Sequence, residues 1–255
     1  MLDYMTIKKL ISPDINLVVF DSVESTNDYA KTLSRTNPST DTVVIAREQT
    51  KGRGTKGRSF FSPTDTGIYM SYMFKSLIPI NEIKPITPAA AVAVLRVLSN
   101  YLSVEGSIKW VNDVEVNGKK LAGILTETVS NPKDFTAYVV VGIGMNTSTI
   151  AFPEEIKDRA ISLSEITKDF DVNILYSRLI NELERVRDYN MMVDDHDYIK
   201  EYKSSCSTLG KNIVFTQNEK DISGRVIDIN NQGHLVVETE FGIISLASAD
   251  IKQEY

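Results

Sequence analysis

The sequence predicts a mixed α/β (α+β) domain over residues 1–208 and a small β-barrel over residues 209–255. Three observations carry that prediction. Apolar runs of strand length alternate with helix-like segments up to about residue 208. The alanine-rich stretch Ala89–Leu98 is apolar nearly all round, as expected of a helix buried inside a sizeable domain. From about Gly210 the texture changes to four or five short apolar runs separated by polar turns, the pattern of a small barrel.

The elements follow in order. Leu17–Phe20 reads as a short buried strand, and Ser22–Asn27 offers several N-caps for a helix through Asp28–Leu33. Asn37–Asp41 is a turn, and Thr42–Ala46 and Gly67–Phe74 are strand-like. Thr87 and Pro88 read as cap and first-turn proline of the alanine-rich helix. Ile108–Trp110 is a short strand. Asn117-Gly118 inside Val114–Leu121 is a strong hairpin signal, with the returning strand over Leu121–Glu127. Ala137–Val141 is a further strand, ending in Gly142-Ile143-Gly144-Met145-Asn146. Helical periodicity covers Ile174–Tyr189 and a shorter stretch over His196–Tyr202. Asn212–Thr216, Ile222–Ile229, His234–Glu238 and Ile243–Leu246 supply the barrel strands.

Composition excludes several classes. With 42% hydrophobic and 24% charged residues, the chain suits a globular protein with a sizeable core. The single cysteine, Cys206, excludes an intrachain disulfide framework and reads as a buried small apolar residue. No apolar run reaches the ~18 residues of a membrane span, and Met1–Ile11 lacks a secretory h-region, so a cytoplasmic protein is expected. His196 and His234 lie far apart, with no metal-ligand spacing around either, so no metal site is expected. Gly-x-Ser-x-Gly and Gly-x4-Gly-Lys-Ser/Thr are both absent, which disfavours a serine hydrolase and a P-loop enzyme.

Residues 51–58, Lys51-Gly52-Arg53-Gly54-Thr55-Lys56-Gly57-Arg58, place four basic side chains and three glycines in eight positions. Glycine lets backbone N–H groups approach a ligand closely, and Arg and Lys match carboxylate and phosphate oxygens. The net charge is −6, so this is a local cationic knot. Such a run also reads as a solvated loop or a nucleic-acid patch. The acidic pI of about 5.1 and the lack of interleaved aromatics weigh against nucleic acid. Flanking strands make it a pinned loop, as a folded site requires.

A second cluster runs from Lys109-Trp110-Val111-Asn112-Asp113 through the hairpin to Lys119-Lys120-Leu121-Ala122-Gly123. The hairpin could bring Lys109 and Lys120 near each other. Asn112 and Asp113 sit where a strand ends, a usual place for ligand-contacting groups. Gly123 within an apolar strand implies a close approach to its backbone. Taken alone, the cluster is equally a plain hairpin with solvated lysines.

Together these motifs resemble the biotin protein ligases. The family's Gly-Arg-Gly-Arg-x-Gly-Arg loop stands here as Gly52–Arg58, followed by Ser59-Phe60-Phe61-Ser62-Pro63. Its Lys-Trp-Pro-Asn-Asp and Lys-Leu-Ala-Gly-Ile-Leu match residues 109–113 and 120–125, and Glu24-Ser25-Thr26-Asn27, Gly-Ile-Gly-x-Asn at 142–146 and Phe152-Pro153 also match. Thr55 departs from the usual second loop arginine, and Val111 from the usual proline. The resemblance implies a catalytic domain like those of class II aminoacyl-tRNA synthetases and biotin ligases, with an SH3-like C-terminal barrel. Some members carry an N-terminal winged-helix DNA-binding domain. About 16 residues precede the first strand here, so DNA binding is not expected.

The activity implied is ATP-dependent formation of biotinyl-5′-AMP and transfer of biotin to a lysine of a biotin carboxyl carrier protein domain, with Mg²⁺ arriving on ATP. By the resemblance, Arg53 and Lys120 hold the biotin carboxylate and the α-phosphate, and Asp113 orients Lys120 or takes the acceptor lysine's proton. Ser25, Thr26, Asn27, Gln49, Gly52, Gly54 and Gly123 join Arg53 and Lys120 around biotin. Lys56, Arg58, Lys109, Asn112 and Asn146 join Arg53 around ATP. A homodimer through sheet edges is compatible with the resemblance. Two alternatives remain: a lipoate or octanoate ligase or transferase, whose Arg-Arg-x-Ser-Gly-Gly-Gly pattern is not found, and a nucleic-acid-binding module.

Overall fold

The computed structural model describes residues 2–36, 38–79, 82–130, 137–192, 197–217, 220–249 and 251–253. Helix α1 (Tyr4–Leu10) leads to β1 (Asn16–Val23), α2 (Thr26–Ser34), β2 (Thr42–Gln49) and β3 (Gly67–Ser76). Next come α3 (Ile86–Leu102), β4 (Ser107–Lys109), β5 (Asp113–Val116), β6 (Lys119–Ser130) and β7 (Ala137–Asn146), then α4 (Val172–Asn190) and α5 (Tyr198–Ser205). The strands form one seven-stranded sheet in the order β1-β2-β3-β7-β6-β5-β4, with β1 parallel to β2 and the remaining pairs antiparallel.

Alternation along the strands gives this sheet two unlike faces. Val43, Ile45, Ile68, Met70, Tyr72, Val141, Ile143 and Met145 point to the side covered by α3 and α4 and fill the main core. The other face carries Val44, Met73 and Val140, which pack with Ala30 of α2 in a smaller cluster. Farther along that second face the residues become small: Ser71, Gly142, Gly144 and Gly123 follow one another across β3, β7 and β6. Side chains lie directly against this patch: Asn27 on Gly142, the Phe60 ring on Gly144, and Lys120 and Phe60 on Gly123.

Strands β8 (Asn212–Gln217), β9 (Lys220–Ile229), β10 (Leu235–Thr239), β11 (Gly242–Leu246) and β12 (Ile251–Gln253) make a separate five-stranded antiparallel sheet. Ile213, Phe215, Val226, Leu235 and Val237 are buried within it. Its 230–233 turn leans on the first domain. The Trp110 indole N–H donates to the Gly233 carbonyl at 2.9 Å, and a Cβ at Gly233 would lie 2.7 Å from Pro88.

Two sequence expectations need correction, and one falls partly outside the described residues. Thr87 and Pro88 lie inside α3, which starts at Ile86 behind Pro85 with no side-chain cap. Burial of the helix supplies the stability that a cap would otherwise add. Residues 142–146 continue β7 instead of ending it, because each pairs with β3. Helix α5 begins at Tyr198, and His196 lies outside the described residues. Helix α1 and strand β12 were not anticipated.

Candidate active site

The cationic loop is a small hairpin whose Phe60 lies against the small-residue patch of the sheet. Phe60 N–H donates to Gly52 O at 2.9 Å, Gly54 N–H donates to Arg58 O at 2.7 Å, and Arg53 faces Ser59 across the stem. The tip turns through left-handed backbone at Lys56 (φ 56°) and Gly57 (φ 74°), which only the glycine adopts without cost. Gly52 is fixed by space: a Cβ there would lie 2.4 Å from Phe60 O and 2.6 Å from Ser62 Oγ. Lys51, Arg53, Lys56 and Arg58 are exposed. Lys51 pairs with Glu24 at 2.8 Å, and Arg53 pairs with Asp28 at 2.5 Å.

A buried polar frame joins the loop to α2. Ser25 caps the helix, accepting from Asp28 N–H at 3.4 Å. Gln49 accepts from Thr26 N–H and Thr26 Oγ1 at 2.9 and 3.1 Å, and donates to Ser62 Oγ at 3.0 Å. Asn27 is 3% exposed and fully committed: Nδ2 donates to Leu125 O and Glu127 Oε2, and Oδ1 accepts from Ser71 Oγ at 2.6 Å. Gly142 makes room for it, since a Cβ there would fall 2.2 Å from Asn27 Oδ1. Asn27 therefore acts as a strut across the sheet, with each side-chain polar atom already bonded within the protein.

The second cluster is set by hairpin register. Asn117 (φ 53°) and Gly118 (φ 72°) make a two-residue turn of the primed kind, which places Lys120 opposite Glu115. Partners in register share a face, so Lys120, Glu115, Asp113 and Lys109 all point the same way. A bulge at Leu121 then brings Gly123, not Ala122, opposite Asp113. Lys120 Nζ lies over that bare backbone, 3.1 Å from where a Cβ on Gly123 would be, and donates to Asp113 Oδ1 at 2.6 Å. Lys109 faces Glu115 at 3.6 Å. Burial pushes the Glu115 carboxyl above its ordinary value, against the pull of Lys109.

The backbone around Lys120 is strapped on its outer side. Its N–H donates to Arg159 O at 2.7 Å, and its carbonyl accepts from Ile161 N–H at 3.0 Å. Asn146 reaches the same strap, donating to Ile161 O at 3.2 Å, while Asn112 donates to Ile124 O at 3.1 Å. The Phe60 ring rests on Gly144 and reaches Gly123, forming a wall between the loop and Lys120. The result is a small-residue patch of sheet covered by Asn27, Phe60 and Lys120, flanked by the hydroxyl and amide side chains of Ser25–Gln49 and by the exposed cations of the loop. Such a set of groups suits a ligand with an apolar stem, a polar head and an anionic tail.

Residues 19–146 match the family model described as Biotin/lipoate A/B protein ligase family, and residues 208–252 match Biotin protein ligase C terminal domain. The bifunctional ligase/repressor BirA of Bacillus spizizenii is 34% identical over 93% of this chain and 74% of its own length. The biotin–[acetyl-CoA-carboxylase] ligase of Mycobacterium tuberculosis is 31% identical over 82% of this chain and 77% of its own. The chain belongs to the biotin protein ligase family. The solved biotin protein ligase from Aquifex aeolicus in complex with biotin and ATP is 28% identical, covers 94% of this chain and 98% of that one, and has a TM-score of 0.76.

For a biotin protein ligase, the structure brings the expected residues together in two groups. Ser25, Thr26, Asn27, Gln49, Gly52, Arg53 and Gly54 surround the loop-and-α2 end. Lys109, Asn112, Asp113, Lys120, Gly123 and Asn146 surround the hairpin end. Lys56 and Arg58 stand on the exposed tip. Sequence reasoning missed Asp28, Phe60, Glu115 and the 159–161 strap. Glu115 was readable, because a two-residue turn at Asn117-Gly118 already pairs it with Lys120; the strap gave no sequence signal.

Proposed function

We propose that this chain activates biotin with ATP to biotinyl-5′-AMP and transfers the biotinyl group to a lysine of a biotin carboxyl carrier protein domain. The observation that supports this best is Lys120 held by Asp113 above the bare backbone of Gly123, next to Phe60 of the cationic hairpin. In the first step a biotin carboxylate oxygen attacks the α-phosphorus of ATP, and the bond to pyrophosphate breaks. The nucleophile is already ionised, since carboxylate pKa values lie near ~4, so no general base is required. The demand is for positive charge around two anions in a site closed to water. Arg53 and Lys120 supply it at carboxylate and α-phosphate, Arg58 and Lys56 toward the outer phosphates, and Lys109 nearby.

Ser25, Thr26 and Gln49 serve the ureido head, which needs hydrogen-bond partners once buried. Asn27, Gly52 and Gly54 shape that end; Asn112 and Asn146 shape the nucleotide end. Mg²⁺ would arrive on ATP and be held through its phosphates. In the second step the acceptor amine attacks the acyl carbon, AMP leaves, and Asp113 receives the amine's proton in this reading. Residues 1–208 act as the catalytic domain and 209–255 as its barrel. The proposed setting is cytoplasmic; among the described residues no helix is long and apolar enough to cross a membrane.

The test is biotin-dependent exchange of pyrophosphate into ATP. Lys120→Ala loses about a hundredfold or more in rate, the ~3 kcal/mol of one preorganised charge contact, with the fold intact. Undiminished exchange would place the chemistry elsewhere. Lipoate competing as well as biotin would favour the acyl-ligase reading.

A further inference from the structure

The Arg53 guanidinium ends a line of charges that runs from the loop into the sheet. Its NH1 donates to Asp28 Oδ1 at 2.5 Å, and the same oxygen receives Lys31 Nζ at 2.8 Å. Lys31 also pairs with Glu127 Oε1 at 2.7 Å, and Glu127 Oε2 accepts from Asn27 Nδ2 at 3.0 Å. The line hardens inward. Arg53 and Asp28 side chains are 45% and 43% exposed, Lys31 and Glu127 23% each, and Asn27 is buried. Its loose end is the link to Arg53.

We propose that Asp28 is a positioning residue that parks Arg53 on α2 while the site is empty and yields it to the anionic adenylate. This rests on the function proposed above. Breaking the Arg53–Asp28 link is cheap for two reasons. A half-exposed ion pair is screened by water and contributes little. Asp28 also keeps Lys31 after Arg53 leaves, and it stands in the first turn of α2, where a carboxylate is favoured. Although burial raises the Asp28 pKa, hydrogen bonds from Lys31 and Arg53 outweigh it and hold the carboxyl below its ordinary range, so it is ionised wherever the enzyme works. The parked arginine is then a competitor's hold: whatever free energy Asp28 gives Arg53 is subtracted from the ligand's.

Titration calorimetry with biotinol-5′-AMP, a non-hydrolysable phosphodiester analogue of the adenylate, tests this. Asp28→Asn binds the analogue about two- to fivefold tighter than wild type, the range of an exposed ion pair. Lys31→Gln shifts affinity the opposite way, because Arg53 then has Asp28 to itself. The gain from Asp28→Asn disappears in an Arg53→Ala background and fades as salt approaches ~1 M. Weaker or unchanged binding by Asp28→Asn, or an equal change without Arg53, overturns the proposal. If Asp28→Asn does not fold by circular dichroism, the sign of the Lys31→Gln shift decides alone. A wild type that binds neither the analogue nor biotin strikes down the proposed function first, and this inference with it.

Discussion

Lys120 and Gly123 face the same way on β6 although they are three positions apart, because the bulge at Leu121 adds one residue between them. Strict alternation would put Ala122 under the lysine; the bulge substitutes bare backbone. Gly123→Ala therefore sets a methyl 3.1 Å from both Cε and Nζ of Lys120. The flexible lysine end moves away and leaves the hairpin intact. The expected result is a fall in kcat for adenylate formation of about tenfold, a portion of the ~3 kcal/mol that one contact supplies. Thermal stability measured by calorimetry stays close to wild type.

Gly142→Ala does the reverse. Its new methyl meets Asn27 Oδ1 at 2.2 Å, and Asn27 is buried and bonded at both ends of its amide. Nothing there can swing aside. A loss of about 1–3 kcal/mol in unfolding free energy is expected from overpacking alone, read by urea denaturation. Wild-type stability in this variant would mean the Asn27 strut is not tight.

Glu115 gives a pH-dependent signature. Burial raises its folded-state pKa above the ordinary 4.5, with Asp113 adding to the effect and Lys109 opposing it. A raised folded pKa means the folded chain binds the proton more tightly than the unfolded chain. That contribution to stability is fully present below the unfolded pKa and is lost as pH rises through the folded one. Glu115→Gln, which cannot ionise, should thus gain on wild type between about pH 4.5 and neutrality. Denaturation series at both ends of that window measure the difference, and a constant offset would contradict the burial argument.

Thr55 begins the tip turn of the cationic hairpin, half-buried beside exposed Lys56. An arginine there adds a cation to the rim. Thr55→Arg is expected to release preformed biotinyl-5′-AMP more slowly than wild type, by about two- to tenfold for one charge-assisted hydrogen bond in a partly wet site. Chase experiments with labelled adenylate measure the off-rate, and equal rates would remove Thr55 from the account of retention.

Most of the sheet and the placing of the two motif clusters were legible because they rest on local signals. Alternation gave β2, β3 and β7 their faces, and Asn117-Gly118 gave the hairpin its register. The glycine-rich run marked the loop, and Gly123 marked a close approach that turned out to be Lys120 itself. What escaped was set by distant parts of the chain. The start of α3 follows from burial and not from Thr87; Asn27 serves as a strut because β3, β6 and β7 converge on it; Asp28 matters because a loop more than twenty residues later folds back onto α2. No short window of sequence contains those meetings.

The indole N–H of Trp110 ends on the carbonyl of Gly233, one residue along from Lys109 and three from Asp113. The C-terminal sheet is therefore no detachable tail. Removing the chain beyond residue 208 would leave the indole donor of Trp110, next in sequence to Lys109, without its carbonyl partner.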